Sequence, residues 1–214
     1  MPRVDYPDLR GFLGQLKRAG DLVHIDAPVD PYLEIAEIHR RVIAAGGPAL
    51  FFENVKDSRF PVVTNLFGTQ KRVDAAFGKR PENLIKQLVG LIESAHPPTL
   101  GDLWRNRSLA GDLMKMRARK VRTGPVSEVS QDEVRLSELP ALTSWPEDGG
   151  PFITLPLVYT EHPKQHGHNL GMYRLQVHDE QTTGMHWQIG KGGGFHYAAA
   201  EASQRALPVS AFLG

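Results

Sequence analysis

Side chains suited to binding and catalysis are concentrated between His162 and His196. Six of the nine histidines lie in this stretch, and five of the 21 glycines lie between Gly184 and Gly194. Imidazole groups supply polar ligands, and glycine lets the backbone approach a bound molecule closely. The stretch is therefore the predicted functional site.

The first histidines of the stretch allow two interpretations. His162, His166 and His168 are two or four residues apart, so their imidazoles can converge on a metal ion in a turn. The polar segment from 161 to 165 is instead typical of an exposed loop that leads into a strand. The sequence leaves both interpretations open.

Asn169 and Arg174 offer two further chemistries. An asparagine carbonyl oxygen is a hard ligand suited to Mg²⁺ or Mn²⁺, and an arginine fork suits a carboxylate or phosphate. If the segment is a strand, these two residues face opposite sides of it, and Gly171 lets the backbone bend toward a ligand.

A glycine-rich run and a tryptophan follow. The run from Gly190 to Gly194 has unobstructed backbone N–H groups and the Lys191 cation, so it can cradle a phosphate or form a flexible turn. Its order is not that of a Walker A loop. Trp187 offers a flat face to an aromatic ring system such as a flavin, or else fills the core.

The rest of the chain predicts the elements that would hold this site. Asp8 caps a predicted helix over 8–19 that Gly20 ends, and a second helix follows Pro31. Further helical spacing occurs around 73–77 and 81–92. Apolar runs predict strands at 22–25, 49–52, 61–66, 152–155, 157–160, 173–177 and 209–212. The predicted class is α+β, with an N-terminal α/β domain (1–98), a basic connector (99–125) and a β-rich domain (126–214).

Composition excludes several classes of protein. The 214 residues contain no cysteine, which excludes disulfides, thiolate metal sites and a cysteine nucleophile. A net charge of +1 gives no general attraction to nucleic acids or membranes, and the basic run at 115–122 lacks the interleaved aromatics of an RNA site. There is no run of about 18 apolar residues and no signal-peptide pattern, so we expect a cytoplasmic protein without a membrane span.

Two blocks of sequence resemble one known family. Asn169–Arg174 (NLGMYR) followed by Gly184–Gly193 (GMHWQIGKGG) closely resembles the UbiD family of prenylated-flavin-dependent decarboxylases. The resemblance extends to residues 8–10, 48–53 and 208–210. It implies an α+β N-terminal domain followed by a split β-barrel flavin-binding domain. Since the family is about twice this long, we expect a fragment, incomplete at its C-terminus.

The resemblance also implies roles for particular residues. Asn169 matches the family's metal ligand, and Arg174 matches the arginine that orients the substrate carboxylate, which makes it the predicted catalytic residue. Gly190 stands where many members place a metal-binding histidine, so His196 or a water would have to take that role. The family's catalytic glutamates would lie beyond Gly214. The implied cofactor contacts are Met172, Tyr173, Arg174, His186, Trp187, Gln188, Lys191 and Gly192.

The activity implied by the resemblance is reversible, non-oxidative decarboxylation of an aromatic or α,β-unsaturated acid, such as a 4-hydroxy-3-polyprenylbenzoate in ubiquinone biosynthesis. The implied cofactors are prenylated FMN and Mn²⁺, with K⁺ as a further metal, and a flavin prenyltransferase supplies the flavin. We expect a homo-oligomer when complete and little activity from this chain alone. The alternatives are a split-barrel FMN oxidoreductase and a non-catalytic partner-binding module.

Overall fold

The computed structural model describes residues 6, 8–78, 82–83, 85–86, 89–90, 121–188 and 190–213. The chain forms two compact units. One comprises Pro7–Gly68 and Glu133–Gly214, and the other comprises Met1–Tyr6 and Thr69–Asp132. Of the helix predicted over 81–92, the described residues 82–83, 85–86 and 89–90 are helical, and the others lie outside the described residues, as does most of the basic run at 115–122.

The first predicted helix is confirmed. Helix α1 spans Leu9–Arg18, and the Asp8 carboxylate accepts a hydrogen bond from the Gly11 N–H at 2.8 Å. An N-cap side chain of this kind satisfies one of the N–H groups that a helix start leaves without a partner. Gly20 then adopts a positive φ of 67° and ends the helix.

A parallel βαβ arrangement follows. Strand β1 (Leu22–Ile25) pairs in parallel with β2 (Ala49–Phe52), and helix α2 (Glu34–Ala44) connects them. Strand β3 (Val62–Thr64) lies antiparallel on the other edge of β2. The residues buried at the centre of this part of the core are Val29, Ile35, Leu50, Phe52 and Val55.

The strand predicted over 61–66 is shorter than expected. It ends at Thr64 because Asn65 takes a positive φ of 60°, and the Asn65 side-chain amide donates to the Pro48 carbonyl at 2.8 Å. Asparagine tolerates this backbone region better than most residues. In the other unit, helix α3 spans Gln70–Phe77 and confirms the helical spacing around 73–77.

The second half of the chain supplies two antiparallel three-stranded sheets. One has the order β4-β7-β8, from Phe152–Ile153, Leu175–Val177 and Thr183–Met185. The other has the order β6-β5-β9, from His168–Met172, Leu157–Glu161 and Val209–Phe212. Helix α4 spans Gly192–Glu201. The α+β class is therefore confirmed.

Several predicted bounds in this half are wrong. The strand predicted over 152–155 ends at Ile153, and the strand predicted over 173–177 begins at Leu175. Strand β6 ends at Met172, so Asn169 and Arg174 do not face opposite sides of one strand. Arg174 instead lies in the short connection to β7.

Among the described residues, no helix is both long and apolar enough to cross a membrane.

Candidate functional site

The candidate site lies where α4 packs on the β6-β5-β9 sheet. Asn169 of β6 pairs with Thr160 of β5, so the two side chains lie next to each other on the same face. Thr160 is fully buried on that face, and its side chain meets α4. The sheet therefore presents two polar side chains to one helix.

The first two residues of α4 must be small. A Cβ atom on Gly192 would lie 2.3 Å from Asn169 Oδ1. A Cβ atom on Gly193 would lie 2.5 Å from Trp187 Cζ3 and 2.8 Å from Tyr173 Oη. Because real Cβ atoms do not approach other atoms so closely, only glycine lets the start of the helix reach the sheet and the aromatic rings.

The Tyr173 hydroxyl connects the helix to Asn169. Tyr173 is 3% exposed, and its Oη accepts a hydrogen bond from the Gly193 N–H at 2.9 Å. It also accepts one from Asn169 Nδ2 at 3.3 Å. The Asn169 amide is thereby oriented so that its nitrogen faces Tyr173 and its carbonyl oxygen faces Gly192. The oxygen is the atom that a hard cation would take as a ligand.

Aromatic rings and one cation surround this connection. The Tyr173 and Trp187 ring centroids are 5.0 Å apart, and the Trp187 and Tyr197 rings stack at 5.9 Å. The Lys191 ammonium lies 5.6 Å from the centroid of the Tyr173 ring. Lys191 forms no ion pair with another described residue, so its charge is available to an anion.

An apolar cleft borders these rings. It has a volume of about 620 Å³, and Trp187 and Tyr197 form part of its wall. The other lining residues come from β7, β8, β9 and the connection after α4: Leu175, Thr183, Met185, Leu207, Val209 and Ala211. Flat rings beside an open apolar cleft are suited to binding an aromatic ligand.

Five of the predicted site residues are thus brought together: Asn169, Tyr173, Trp187, Lys191 and Gly192. The Met172 side chain is not among them. It is 56% exposed and lies on the opposite face of β6, across from Leu157. Gln188 contributes its backbone carbonyl, which accepts from the Lys191 N–H at 3.2 Å. His186 is exposed.

Arg174 lies on an exposed part of the same unit. Its guanidinium carbon is 4.6 Å from the centroid of the Phe152 ring. An aromatic ring below the guanidinium attracts the cation and restricts its conformations. Within the described part of the chain Arg174 has no carboxylate partner, so the fork is free to bind a carboxylate from outside.

His162 and His166 lie in the connection between β5 and β6, and His168 is the first residue of β6. His162 Nδ1 accepts hydrogen bonds from the backbone N–H groups of Lys164 and Gln165 at 3.1 and 3.0 Å. The His168 ring stacks on Tyr159 at 5.8 Å. Among the described residues these histidines form no group of three metal ligands. The polar-loop interpretation of this segment is the one that the contacts support.

Among the described residues, one group of potential metal ligands lies elsewhere, at the adjacent C-terminal ends of β1 and β2. His24 Nε2 is 3.0 Å from Asp26 Oδ1 and 2.7 Å from Glu53 Oε2. All three side chains are exposed, and the imidazole already lies between the two carboxylates. These are contacts between exposed side chains, and we assign no metal to them.

No sequence pattern indicated that Thr160 belongs to the site, and His196 was expected only as a substitute metal ligand. Thr160 Oγ1 and His196 Nδ1 are joined by a hydrogen bond of 2.9 Å, and His196 is 8% exposed. Because Nδ1 takes part in this hydrogen bond, only Nε2 of His196 would remain to bind a metal ion. The two residues are 36 positions apart, so no local pattern could have paired them.

Replacing Gly193 with alanine is expected to destabilise the protein by about 1–3 kcal/mol, because the added methyl group overlaps Trp187 and Tyr173. Urea unfolding would measure the change. Gly14→Ala in α1 is the control, since its Cβ meets only Arg18 at 3.5 Å and alanine favours a helix. Equal effects of the two substitutions would contradict the close contact at Gly193.

The stability of the protein is expected to fall in acid through His196. Burial, together with the nearby His162, lowers the pKa of His196 below its usual value. The unfolded chain then binds the proton more readily, so stability is full above about pH 6.5 and declines below it. Burial also lowers the pKa of His39. Unfolding free energies measured from about pH 8 to about pH 5 should decline less steeply in His196→Gln and in His39→Gln than in the wild type. Identical slopes in all three would contradict the assignment.

Comparison with known proteins identifies two matching domain families. Residues 13–92 match the N-terminal domain of 3-octaprenyl-4-hydroxybenzoate carboxy-lyase. Residues 118–214 match the Rift-related domain of the same carboxy-lyase, UbiD. The two matches follow each other along the chain in the order that the sequence analysis predicted.

Curated relatives extend these matches. A Chlamydia pneumoniae protein whose name makes it one subunit of a 4-hydroxybenzoate decarboxylase is 50% identical over 205 residues, which cover 96% of this chain and 35% of that protein. An uncharacterized protein of Chlamydia caviae is 53% identical over 205 residues, with the same coverage. The chain thus spans about one third of the length of the curated relatives it matches.

Solved structures share the fold. HmfF of Pelotomaculum thermopropionicum, a UbiD-class enzyme solved as an evolved dimeric form in complex with prFMN, matches with a TM-score of 0.75 and 27% identity. The match covers 96% of this chain and 44% of that one. The closed form of vanillic acid decarboxylase from Sedimentibacter hydroxybenzoicus matches with a TM-score of 0.76 and 26% identity, over 98% of this chain and 43% of that one.

Proposed function

This chain belongs to the UbiD family, and on that basis we propose that it forms the prenylated-FMN-binding part of a decarboxylase. The two sheets of its second half are, in this proposal, parts of a split barrel. The observation that carries the proposal is the contact of Gly192 with Asn169, because two residues that the resemblance assigns to cofactor and metal meet there.

The residues around this contact fit a flavin phosphate. The first turn of a helix has N–H groups without partners in the helix and a positive end of its dipole, which together favour an anion. In α4 the Gly193 N–H donates to Tyr173, so the other N–H groups of the turn are the ones proposed to face the phosphate. Lys191 adds a positive charge directly before the helix. Trp187 and the apolar cleft suit the flavin ring. In the proposed complex these groups bind and orient the cofactor.

The donor set fits a divalent cation only in part. Asn169 Oδ1 is a hard oxygen ligand, and Tyr173 holds the amide in the orientation that presents this oxygen. Within the described part of the chain no carboxylate joins it, so the cofactor phosphate and residues outside this chain would complete the coordination of Mn²⁺. Asn169 is the one ligand that we assign to this chain.

Arg174 is the proposed substrate-binding residue. Its planar fork matches a carboxylate in two parallel hydrogen bonds, and the Phe152 ring restricts the guanidinium beneath it. Bound prenylated FMN supplies the electron sink for the pair of electrons that departing CO₂ leaves behind. Arg174 fixes the carboxylate and therefore the position of the carbon that carries it.

We propose an aromatic or α,β-unsaturated carboxylic acid as the substrate. The names of two similar proteins support the aromatic class, since one belongs to a 4-hydroxybenzoate decarboxylase and the other is a vanillic acid decarboxylase. The first of these is named as one subunit of its enzyme, and an evolved form of HmfF is dimeric, which supports an oligomeric assembly for the complete enzyme.

Cofactor retention tests the proposal. The chain, alone and within a protein of the relatives' length, is co-expressed with a flavin prenyltransferase and Mn²⁺ and is then studied by native mass spectrometry and visible absorption. We expect a retained mass equal to prenylated FMN plus metal, and its loss in Asn169→Ala. His168→Ala, on the outer face of the same strand, is the matched control. A colourless, metal-free protein of the relatives' length would refute the proposal.

A further inference from the structure

The hydrogen bond between Thr160 and His196 has no place in the proposed chemistry, yet both groups are deeply buried. Thr160 is fully buried and His196 is 8% exposed, and their polar atoms are 2.9 Å apart. Burying two polar side chains has a cost that only a satisfied hydrogen bond offsets. An apolar pair of similar size would fill the same space without this cost, so the presence of the hydrogen bond needs an explanation.

Its position in the fold is beside the Asn169 contact. Thr160 is the cross-strand partner of Asn169, so both side chains project from the sheet toward α4. His196 follows Gly192 by four residues, which places the two on the same side of the helix, one turn apart. The helix therefore meets the sheet in two successive contacts, Gly192 with Asn169 and His196 with Thr160.

The two contacts differ in how strongly they constrain the position of α4 on the sheet. Gly192 has no side chain, so its contact with Asn169 permits the helix to come close but does not hold it. The Thr160–His196 bond is directional and short, and it sets both the distance and the rotation of α4 on the sheet. The neighbouring His162 ring is perpendicular to the His196 ring, with the two centroids 5.3 Å apart, and restricts the imidazole further.

We infer that Thr160 and His196 are positioning residues, whose hydrogen bond holds the start of α4 against Asn169 and Tyr173. Without this bond, the glycines at the start of the helix would be free to move away from the sheet. The Gly193 N–H would then lose the Tyr173 hydroxyl, which also orients Asn169. Only the expected effect on flavin binding rests on the proposed function; the positioning of the helix does not.

Amide hydrogen exchange of the chain, measured by NMR, tests the inference without any ligand. Thr160→Val keeps the shape of the side chain and removes the hydroxyl. We expect exchange of the Gly193 amide to become about tenfold faster relative to the amides of β2, the change that loss of one hydrogen bond implies. Thr160→Ser, which keeps the hydroxyl, should restore slow exchange.

A second variant separates positioning from general destabilisation. Val158 is also fully buried, two residues before Thr160 on the same face of β5, and takes no part in the bond. Val158→Ala should accelerate exchange of Gly193 and of the β2 amides to the same extent. If Thr160→Val gives this uniform pattern, or leaves Gly193 unchanged, the inference is wrong.

Flavin affinity supplies the functional readout. FMN fluorescence quenching in the presence of Mn²⁺ should give a dissociation constant about tenfold higher for Thr160→Val than for wild type, Thr160→Ser or Val158→Ala. An unchanged constant would overturn the functional part of the inference. If the wild type in a protein of the relatives' length binds no flavin, the proposed function fails, whereas the exchange experiment still decides whether Thr160 positions the helix.

Discussion

Replacing Arg174 with alanine is expected to lower decarboxylation by at least about 100-fold, the effect of losing a group that positions the reacting carbon. Flavin is expected to remain bound. The substitution removes the fork that binds the substrate carboxylate, and it leaves the contacts among Asn169, Tyr173 and Gly192 unchanged. Because Arg174 is exposed, the fold should tolerate the change. CO₂ release by a protein of the relatives' length that carries this sequence would be measured on a 4-hydroxybenzoate-type acid.

Two controls define the role of Arg174. Arg174→Lys keeps the charge but loses the two parallel hydrogen bonds, so we expect it to recover only part of the activity. Arg205→Ala removes another exposed arginine of the same unit and should leave turnover unchanged. Full activity in Arg174→Ala would show that the carboxylate is bound elsewhere. Loss of the flavin in that variant would instead assign Arg174 to the cofactor.

Gly192→Ala is expected to weaken binding of flavin and Mn²⁺ by at least about tenfold while the protein stays folded. The new methyl group would lie 2.3 Å from Asn169 Oδ1 and 2.9 Å from its Cγ. Since the obstructing atoms belong to a side chain that is only partly buried, the amide can rotate away without disrupting the core. The carbonyl oxygen then no longer faces the start of α4, where the cofactor phosphate and the cation are proposed to bind.

The matched control is Gly167→Ala. Gly167 lies in the loop before β6, and a Cβ atom there would meet nothing within 4 Å. FMN fluorescence quenching and Mn²⁺ titration should therefore give wild-type values for Gly167→Ala and weakened values for Gly192→Ala. Circular dichroism would verify that both variants are folded. Unaltered flavin and metal affinities in Gly192→Ala would remove Asn169 from the proposed metal site.

The elements with local signals were predictable from the sequence. Asp8 and Gly20 mark the two ends of α1 through capping and a positive φ, which are interactions within a few residues. The apolar run from Ala49 to Phe52 predicts β2, the mostly buried central strand of the first sheet. Strand β6 gave no such signal, because Asn169 and Gly171 are poor strand formers.

The start of α4 shows the limit of local reasoning most clearly. A run of glycines predicts a loop, since glycine loses more conformational freedom than other residues when it enters a helix. In the structure Gly192, Gly193 and Gly194 form the first turn of α4. The contacts with Asn169, Tyr173 and Trp187 exclude any larger residue there, so packing decides the element against its propensity.

The sequence by itself determined the fold class, the family resemblance and the residue types of the candidate site, because these depend on composition, caps, periodicity and motif order. It also placed Asn169, Tyr173, Trp187, Lys191 and Gly192 in one site through that resemblance. Only the tertiary structure decided how they meet. The Met172 side chain lies on the opposite face of β6, and Thr160 meets His196 across 36 residues. Strand register and the packing of a helix on a sheet set such contacts, and no spacing along the chain encodes them.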